Sequence, residues 1–336
     1  MIDFVGKRNW FYVVSLLVLI PGIVSLILPG GLHRGIEFSS GTTFSVRFAE
    51  DVSEVELRDA LAQLGHDEAR IQKTPQGRML VRTDLIGGAT QAPPFGPALP
   101  SEREDLETAL GQRFGGLLDS DGNPSSRFIE FSSVSSSVSS DIGRNAALAI
   151  LVASLAILIY ITLSFVSVPK PVRYGASAIF ALGHDVLLTL GAASILGRIA
   201  GFEIDTLFIT AMLTIVGFSV HDSIVVFDRV RENVRRAESA GYEVRLADAV
   251  NASLNQTLGR SLNTSLTVVL SLVALILLGG DTIRDFLIIM LVGLVSGTYS
   301  SIFVASQLLV SWDEGDLPRL LGRFRRQRPH AVESPA

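Results

Sequence analysis

The chain has 336 residues, of which 48% are hydrophobic and 18% charged, with a formal net charge of −5 and no cysteine. Its mean hydropathy is +0.43, and its charged fraction falls below the ~25% usual in soluble domains. These figures exclude a soluble enzyme, disulfides, thiol chemistry and cysteine-based metal sites; the net charge averages over unlike regions and says little about partners.

Residues 1–9 form a short N-terminal segment carrying Lys7 and Arg8. They precede an apolar run, Trp10–Leu28, that predicts a first membrane-spanning helix over 10–29. No small-x-small site precedes the polar residues that follow, so the run reads as an uncleaved anchor rather than a signal peptide. Residues 33–143 form the one large polar segment. Within it, Thr43–Phe48 alternates as a strand, and Ser53-Glu-Val-Glu56 is a capping box opening a helix to about Leu64. Ala69–Lys73 and Arg78–Thr83 read as strands around Pro75-Gln-Gly77. Residues 86–100, rich in Gly and Pro, predict a loop. Ser101-Glu-Arg-Glu104 opens a second helix to about Phe114, and Arg127–Phe131 reads as a fourth strand. The order β-α-β-β-α-β predicts a ferredoxin-like α+β domain.

Five further spans are predicted over 145–168, 172–196, 206–228, 258–279 and 285–311. Residues 229–257 read as a loop and 312–336 as a basic tail. Uninterrupted apolar runs of this length are helical and exclude a β-barrel, whose strands are short and alternating. Lys and Arg near the span ends fix the orientation. Fourteen, including Lys7, Arg8, Lys170, Arg173, Arg229 and Arg319, collect on one side, against Arg198 and Arg284 on the other. Both termini are therefore expected in the cytoplasm and residues 33–143 outside a multi-pass cytoplasmic membrane protein.

Ionisable groups at membrane depth are costly, ~2.5–3.5 kcal/mol for an Asp at a helix centre, and so are candidates for function. His184-Asp185 sits near the middle of the third span and His221-Asp222 in the fourth. Arg260 opens the fifth and heads a polar stripe, Thr264, Thr267 and Ser271, on one helical face. The pairs also fit satisfied structural contacts, Arg260 fits an interfacial side chain reaching for water, and the stripe fits helix packing. Gly293-Leu-Val-Ser-Gly297 reads as a small-xxx-small packing face. Two enzymatic readings are available. Ser219 with His184 could form a serine-protease pair, whereas Ser219 and His221 on one helix point ~200° apart. Asp185 and Asp222 could form an aspartyl dyad. Neither explains the polar domain. The sequence holds no P-loop and no zinc motif.

The segment from Gly217-Phe-Ser-Val-His-Asp-Ser to Arg231-Glu-Asn233 resembles the signature of the SecD/SecF family of protein-export membrane proteins, in its SecF branch. Further matches are Arg34-Gly-Ile-Glu-Phe38, Ala181-Leu-Gly-His-Asp185, Asn255-Gln-Thr-Leu-Gly-Arg260 and Gly297-Thr-Tyr-Ser-Ser-Ile-Phe-Val-Ala305. The family belongs to the proton-driven resistance–nodulation–division (RND) group. The resemblance implies six helices, half of a twelve-helix unit completed by SecD, beside the SecYEG channel. It implies no enzyme and no cofactor, only a proton gradient that promotes export of a preprotein. It maps the family's transmembrane carboxylate onto Asp222 and its arginine onto Arg260. His221 stands where the family usually has Asn, so it is expected to tune Asp222, with His184 and Asp185 as a second element of the proton relay. An RND-type exporter half for a lipid or small molecule is the alternative, and a non-transporting assembly factor a third reading.

Overall fold

The computed structural model describes residues 2–74, 77–87, 101–166, 170–280 and 283–315. The predicted loop beyond residue 87 and the basic tail beyond Gly315 fall largely outside them. The chain forms two compact units, Arg34–Ala147 and the remaining residues.

The first unit is α+β. A short helix α2 (Ile36–Ser39) leads into β1 (Gly41–Phe48), followed by α3 (Glu54–Gln63), β2 (Arg70–Lys73), β3 (Met79–Thr83) and α4 (Glu102–Arg113). Two-residue strands β4 (Leu117–Leu118) and β5 (Pro124–Ser125) precede β6 (Glu130–Val134). All pairings are antiparallel, in the order β2-β3-β1-β6, and β4 pairs with the far end of β1 at Phe48↔Leu117. This is the predicted strand–helix order with an unforeseen hairpin inserted after α4. Phe44, Val46 and Phe48 alternate inward from β1 and meet Leu57, Leu61, Val81 and Leu110. Each such side chain contributes ~1.5–3 kcal/mol on burial. Both capping boxes form: Ser53 accepts from Glu56 N and Ser101 from Glu104 N. The last strand starts at Glu130 rather than Arg127. Phe128 is drawn out of the strand into the core, stacked on Phe44. Its amide donates to the buried Glu107 carboxylate at 3.0 Å.

The second unit is helical. Six helices are long and apolar enough to cross a membrane: α1 (Arg8–Ile27), α5 (Ser136–Ser164), α6 (Pro171–Ala200), α7 (Thr206–Ser239), α8 (Leu246–Leu278), and a composite of α9 (Arg284–Ser300), a π-helical turn (Ser301–Ala305) and α10 (Ser306–Asp313). The α7 and α9–α10 helices are the most buried, and α1, α5 and α8 form the periphery. Close approach is set by glycine. Gly22 of α1 meets Gly191 of α6 backbone to backbone, so a Cβ at Gly22 would stand 2.9 Å from Gly191 Cα. Gly293 and Gly297 face Ile215 and Ser219 of α7. Arg198 of α6 donates to the carbonyls of Ser25, Leu28 and Pro29 at the C-terminal end of α1, where a cation complements the helix dipole.

The predicted loop over 229–257 is mostly helix. The fourth span continues to Ser239 and the fifth begins at Leu246. At 1.5 Å per residue α7 is ~51 Å long, well beyond a bilayer core. The extension is polar yet regular because its charges pair along the helix. Arg231 bonds Asp228, Arg229 bonds Glu232, and Arg236 reaches Glu232 at 2.6 Å. Likewise the second span begins at Ser136, because the serine-rich stretch divides between β6 and the first turns of α5.

Candidate functional site: buried carboxylates in the helical core

His184 and Asp185 lie midway along α6, on the face turned to α7 and α9. Asp185 is fully buried. Ser219 and Ser300 donate to its Oδ2, both at 2.6 Å, and Ser296 donates to its Oδ1 at 2.7 Å. His184 Nδ1 lies 3.1 Å from Oδ1. One carboxylate thus gathers hydroxyls from two other helices. An ionised carboxylate is acceptor-only, and every neighbour here can donate. Hydrogen bonds to a charged group contribute ~1.5–3 kcal/mol each, against the several kcal/mol of burying that charge. His184 is itself buried, with Nε2 unpartnered among the described residues. It borders an apolar groove of about 400 Å³ lined by Val14, Leu188, Leu291 and Tyr299.

Asp222 lies three residues beyond Ser219 on α7 and is 8% exposed. The Ser265 hydroxyl of α8 is its hydrogen-bond partner, and Thr298 of α9 donates to Ser265 at 2.7 Å. Asp185 and Asp222 therefore occupy separate hydrogen-bond sets and are not bonded as a dyad. The serine-protease arrangement does not form either. Ser219 and His184 both converge on Asp185, whereas a triad needs the imidazole between serine and carboxylate.

His221 is exposed, as are Arg260, Thr264, Thr267 and Ser271. Among the described residues the stripe hydroxyls bond within their own helix, Thr264 to Arg260 O and Ser271 to Thr267 O. Among the described residues Arg260 makes no ion pair with Asp222. The structure thus brings His184 and Asp185 together with Ser219, which the sequence singled out in another role, and with Ser296 and Ser300, to which it gave no role at this site, and turns the Arg260 stripe away from this chain's own core. Ser296 and Ser300 had one legible signal: they sit four apart on the same small-residue face as Gly293 and Gly297. The Asn255-Gln256 motif has a local role. Asn255 clamps the backbone of Ile2 at both N and O, and Asn251 accepts from Phe4 N at 2.8 Å. Gln256 accepts from Arg229 at 2.6 Å and Asn233 at 3.0 Å, which ties the polar extensions of α7 and α8 together. Among the described residues no group of three or more metal-ligating side chains occurs.

Six apolar helices, an α+β unit inserted after the first, and carboxylates buried among hydroxyls define a polytopic membrane protein with ionisable groups at membrane depth. A family model described as "Protein export membrane protein SecD/SecF, C-terminal" matches residues 118–315. The protein translocase subunit SecF of Thermobaculum terrenum is 45% identical over 332 residues, 99% of each chain. The protein translocase subunit SecDF of Bacillus subtilis is 31% identical and covers 94% of this chain, which spans 39% of that longer protein. A crystal structure of SecDF, a translocon-associated membrane protein from Thermus thermophilus, superposes with a TM-score of 0.74 at 32% identity. It covers 93% of this chain, which again spans 39% of its length. The chain belongs to the SecD/SecF family of protein-export membrane proteins.

Proposed function

We propose that this chain is the SecF-type subunit of a Sec translocase accessory complex and uses the proton gradient to promote preprotein export. The observation that carries the reading is near-full-length identity to translocase SecF subunits, combined with a buried Asp222 in the family signature. The relatives in which this sequence forms 39% of a longer SecDF chain support SecD as the partner that supplies the remaining helices. An outward polar face on α8 fits that role, because Arg260 and the hydroxyl stripe are costly against lipid and call for a partner. The complex would act beside SecYEG in the cytoplasmic membrane, with both termini inside and the α+β unit outside.

In this mechanism Asp222 takes up and releases the proton. Arg260, once SecD covers α8, stabilises the carboxylate after the proton leaves. His221 tunes the exchange, and His184-Asp185 forms the second ionisable element. A charge change among packed helices biases a two-state packing, which the outer unit transmits to the emerging chain. One proton crossing yields ~2.3 kcal/mol per 100 mV, so the cycle repeats many times per preprotein. The test is translocation into inverted vesicles with and without a gradient. Asp222→Asn should remove the gradient-dependent part; full stimulation by Asp222→Asn would refute the assignment. The apolar groove beside His184 is the one feature that favours the alternative, an RND-type exporter of a lipid or small molecule. Export independent of this protein would select it.

A further inference from the structure

Three residues in one short stretch of α9, Ser296, Thr298 and Ser300, reach the two carboxylate sites from opposite faces of the helix. Ser296 and Ser300, four apart, share one helical face and both donate to Asp185. Thr298 lies between them, rotated by ~200°, and donates to Ser265, the hydroxyl that serves Asp222. The α7 helix repeats the pattern, since Ser219 is tied to Asp185 and Asp222 follows three residues later. The π-helical turn Ser301–Ala305 begins at the next residue. Such turns interrupt the regular ladder and recur at functional sites.

We propose that Asp185 is a positioning residue for the proton cycle of Asp222. It anchors α9 and α7 through Ser296, Ser300 and Ser219, and so fixes where Thr298 of α9 stands against Ser265, the partner of Asp222. The proposal rests on the reading of Asp222 as proton carrier. Protonation of Asp222 removes the charge that the Ser265 hydroxyl serves, and the single Thr298 hydroxyl proton has two acceptors between which it can shift, Ser265 at 2.7 Å and the Leu294 carbonyl at 2.9 Å. With its other face pinned to Asp185, α9 yields at the π-helical turn rather than sliding as a rod. The ionisable groups beside Asp185 are His184 on its own helix, 3.1 Å away, and Tyr299 on α9, whose ring stands 6.4 Å from that of His184; on α7, Asp222 follows one turn after Ser219. The nearest α1 groups are Ser15, which donates to the Tyr299 hydroxyl, and the Phe11 carbonyl that accepts from it.

The experiment compares export into inverted vesicles carrying the full chain with its partner subunit, with and without a proton gradient, across the neutral pH range. Variants are Asp185→Asn, the double Ser296→Ala/Ser300→Ala, the same double combined with Thr298→Val, and Asp222→Asn as reference. The serine double keeps the charge of Asp185, so it remains informative if Asp185→Asn does not accumulate. The ratio of rates with and without the gradient should fall about threefold or more in the serine double, within the range for residues acting through an intermediate. Its pH of half-stimulation should move, and Thr298→Val should add nothing further. A structural role alone would lower both rates and leave ratio and pH profile intact. A wild-type ratio and profile in the serine double, with Asp222→Asn inactive, would overturn the proposal and leave the carrier reading standing. A wild-type ratio in Asp222→Asn would overturn the carrier reading, and the proposal with it.

Discussion

Replacing Gly293 by alanine tests how tightly α9 must seat on α7. A Cβ built there stands 2.1 Å from Ile215 Cδ1, 2.5 Å from Cγ1 and 3.0 Å from Cγ2. Ile215 is 1% exposed and packed in the most buried pair of helices, so it has no room to retreat. Overpacking of this kind costs ~1–3 kcal/mol. Ile215→Ala alone leaves a cavity and costs ~2–5 kcal/mol. The double variant removes all three overlapping atoms, so its destabilisation should fall short of the sum by ~1–3 kcal/mol. The assay is reversible unfolding of the purified protein in detergent, run on all four members of the cycle. Since 1.4 kcal/mol is about tenfold in the unfolding equilibrium, the coupling is well resolved. Strict additivity would show that α9 and α7 do not meet at this contact, and would undercut the placement of Ser296 and Ser300, about one and two turns further along.

Three further outcomes are expected. Because the sequence contains no cysteine, single cysteines report topology cleanly. One at Gln112 should react with an impermeant reagent from outside intact cells and one at Ser239 should not; reversed labelling would invert the proposed orientation. Arg260→Lys should lose part of the gradient-dependent export and Arg260→Ala nearly all, at normal protein levels, since a planar fork is replaced by a point charge in the first and removed in the second. Full activity of the alanine variant would reduce Arg260 to an interfacial side chain. His221→Asn should keep export and move only its pH profile; inactivity equal to that of Asp222→Asn would make the imidazole an obligatory relay.

The six spans were legible because long uncharged runs have one stable form in lipid, and the two capping boxes because their signal is local. Polarity misled the reading of residues 229–257. A helix that leaves the membrane keeps its hydrogen-bond ladder when Arg229, Glu232 and Arg236 pair along it, and composition alone does not distinguish that from a loop. The fourth strand was displaced by three residues because Phe128 is committed to the core through Glu107, a contact 21 residues away in sequence. The Asp185 cage was legible only in part: Asp185, His184 and Ser219 stood out as polar groups in apolar helices, but their meeting with Ser296 and Ser300 did not. Ser296 and Ser300 lie 111 and 115 residues from it, and serine in an apolar helix fits packing as well as it fits a hydrogen bond.

The two carboxylates differ in a way that divides their proposed roles. Asp185 is closed off, with both oxygens occupied by hydroxyls from α7 and α9 and an imidazole beside it. Asp222 has one serine partner, Ser265, and is 8% exposed. Asp222, with one serine partner, is held less firmly than Asp185, with three, which suits the first to exchange and the second to anchor. The outward face of α8 extends the same logic. Arg260 gains its role only when a second set of helices closes over it, so Asp222 would complete its cycle only in the assembled complex. If that is correct, this chain without its partner should remain folded, held by the Asp185 anchor, yet show no gradient-dependent activity. Co-expression of the partner subunit should restore that activity without changing the stability of the Gly293–Ile215 contact. Gradient-dependent activity from this chain alone would refute the dependence on an assembled site.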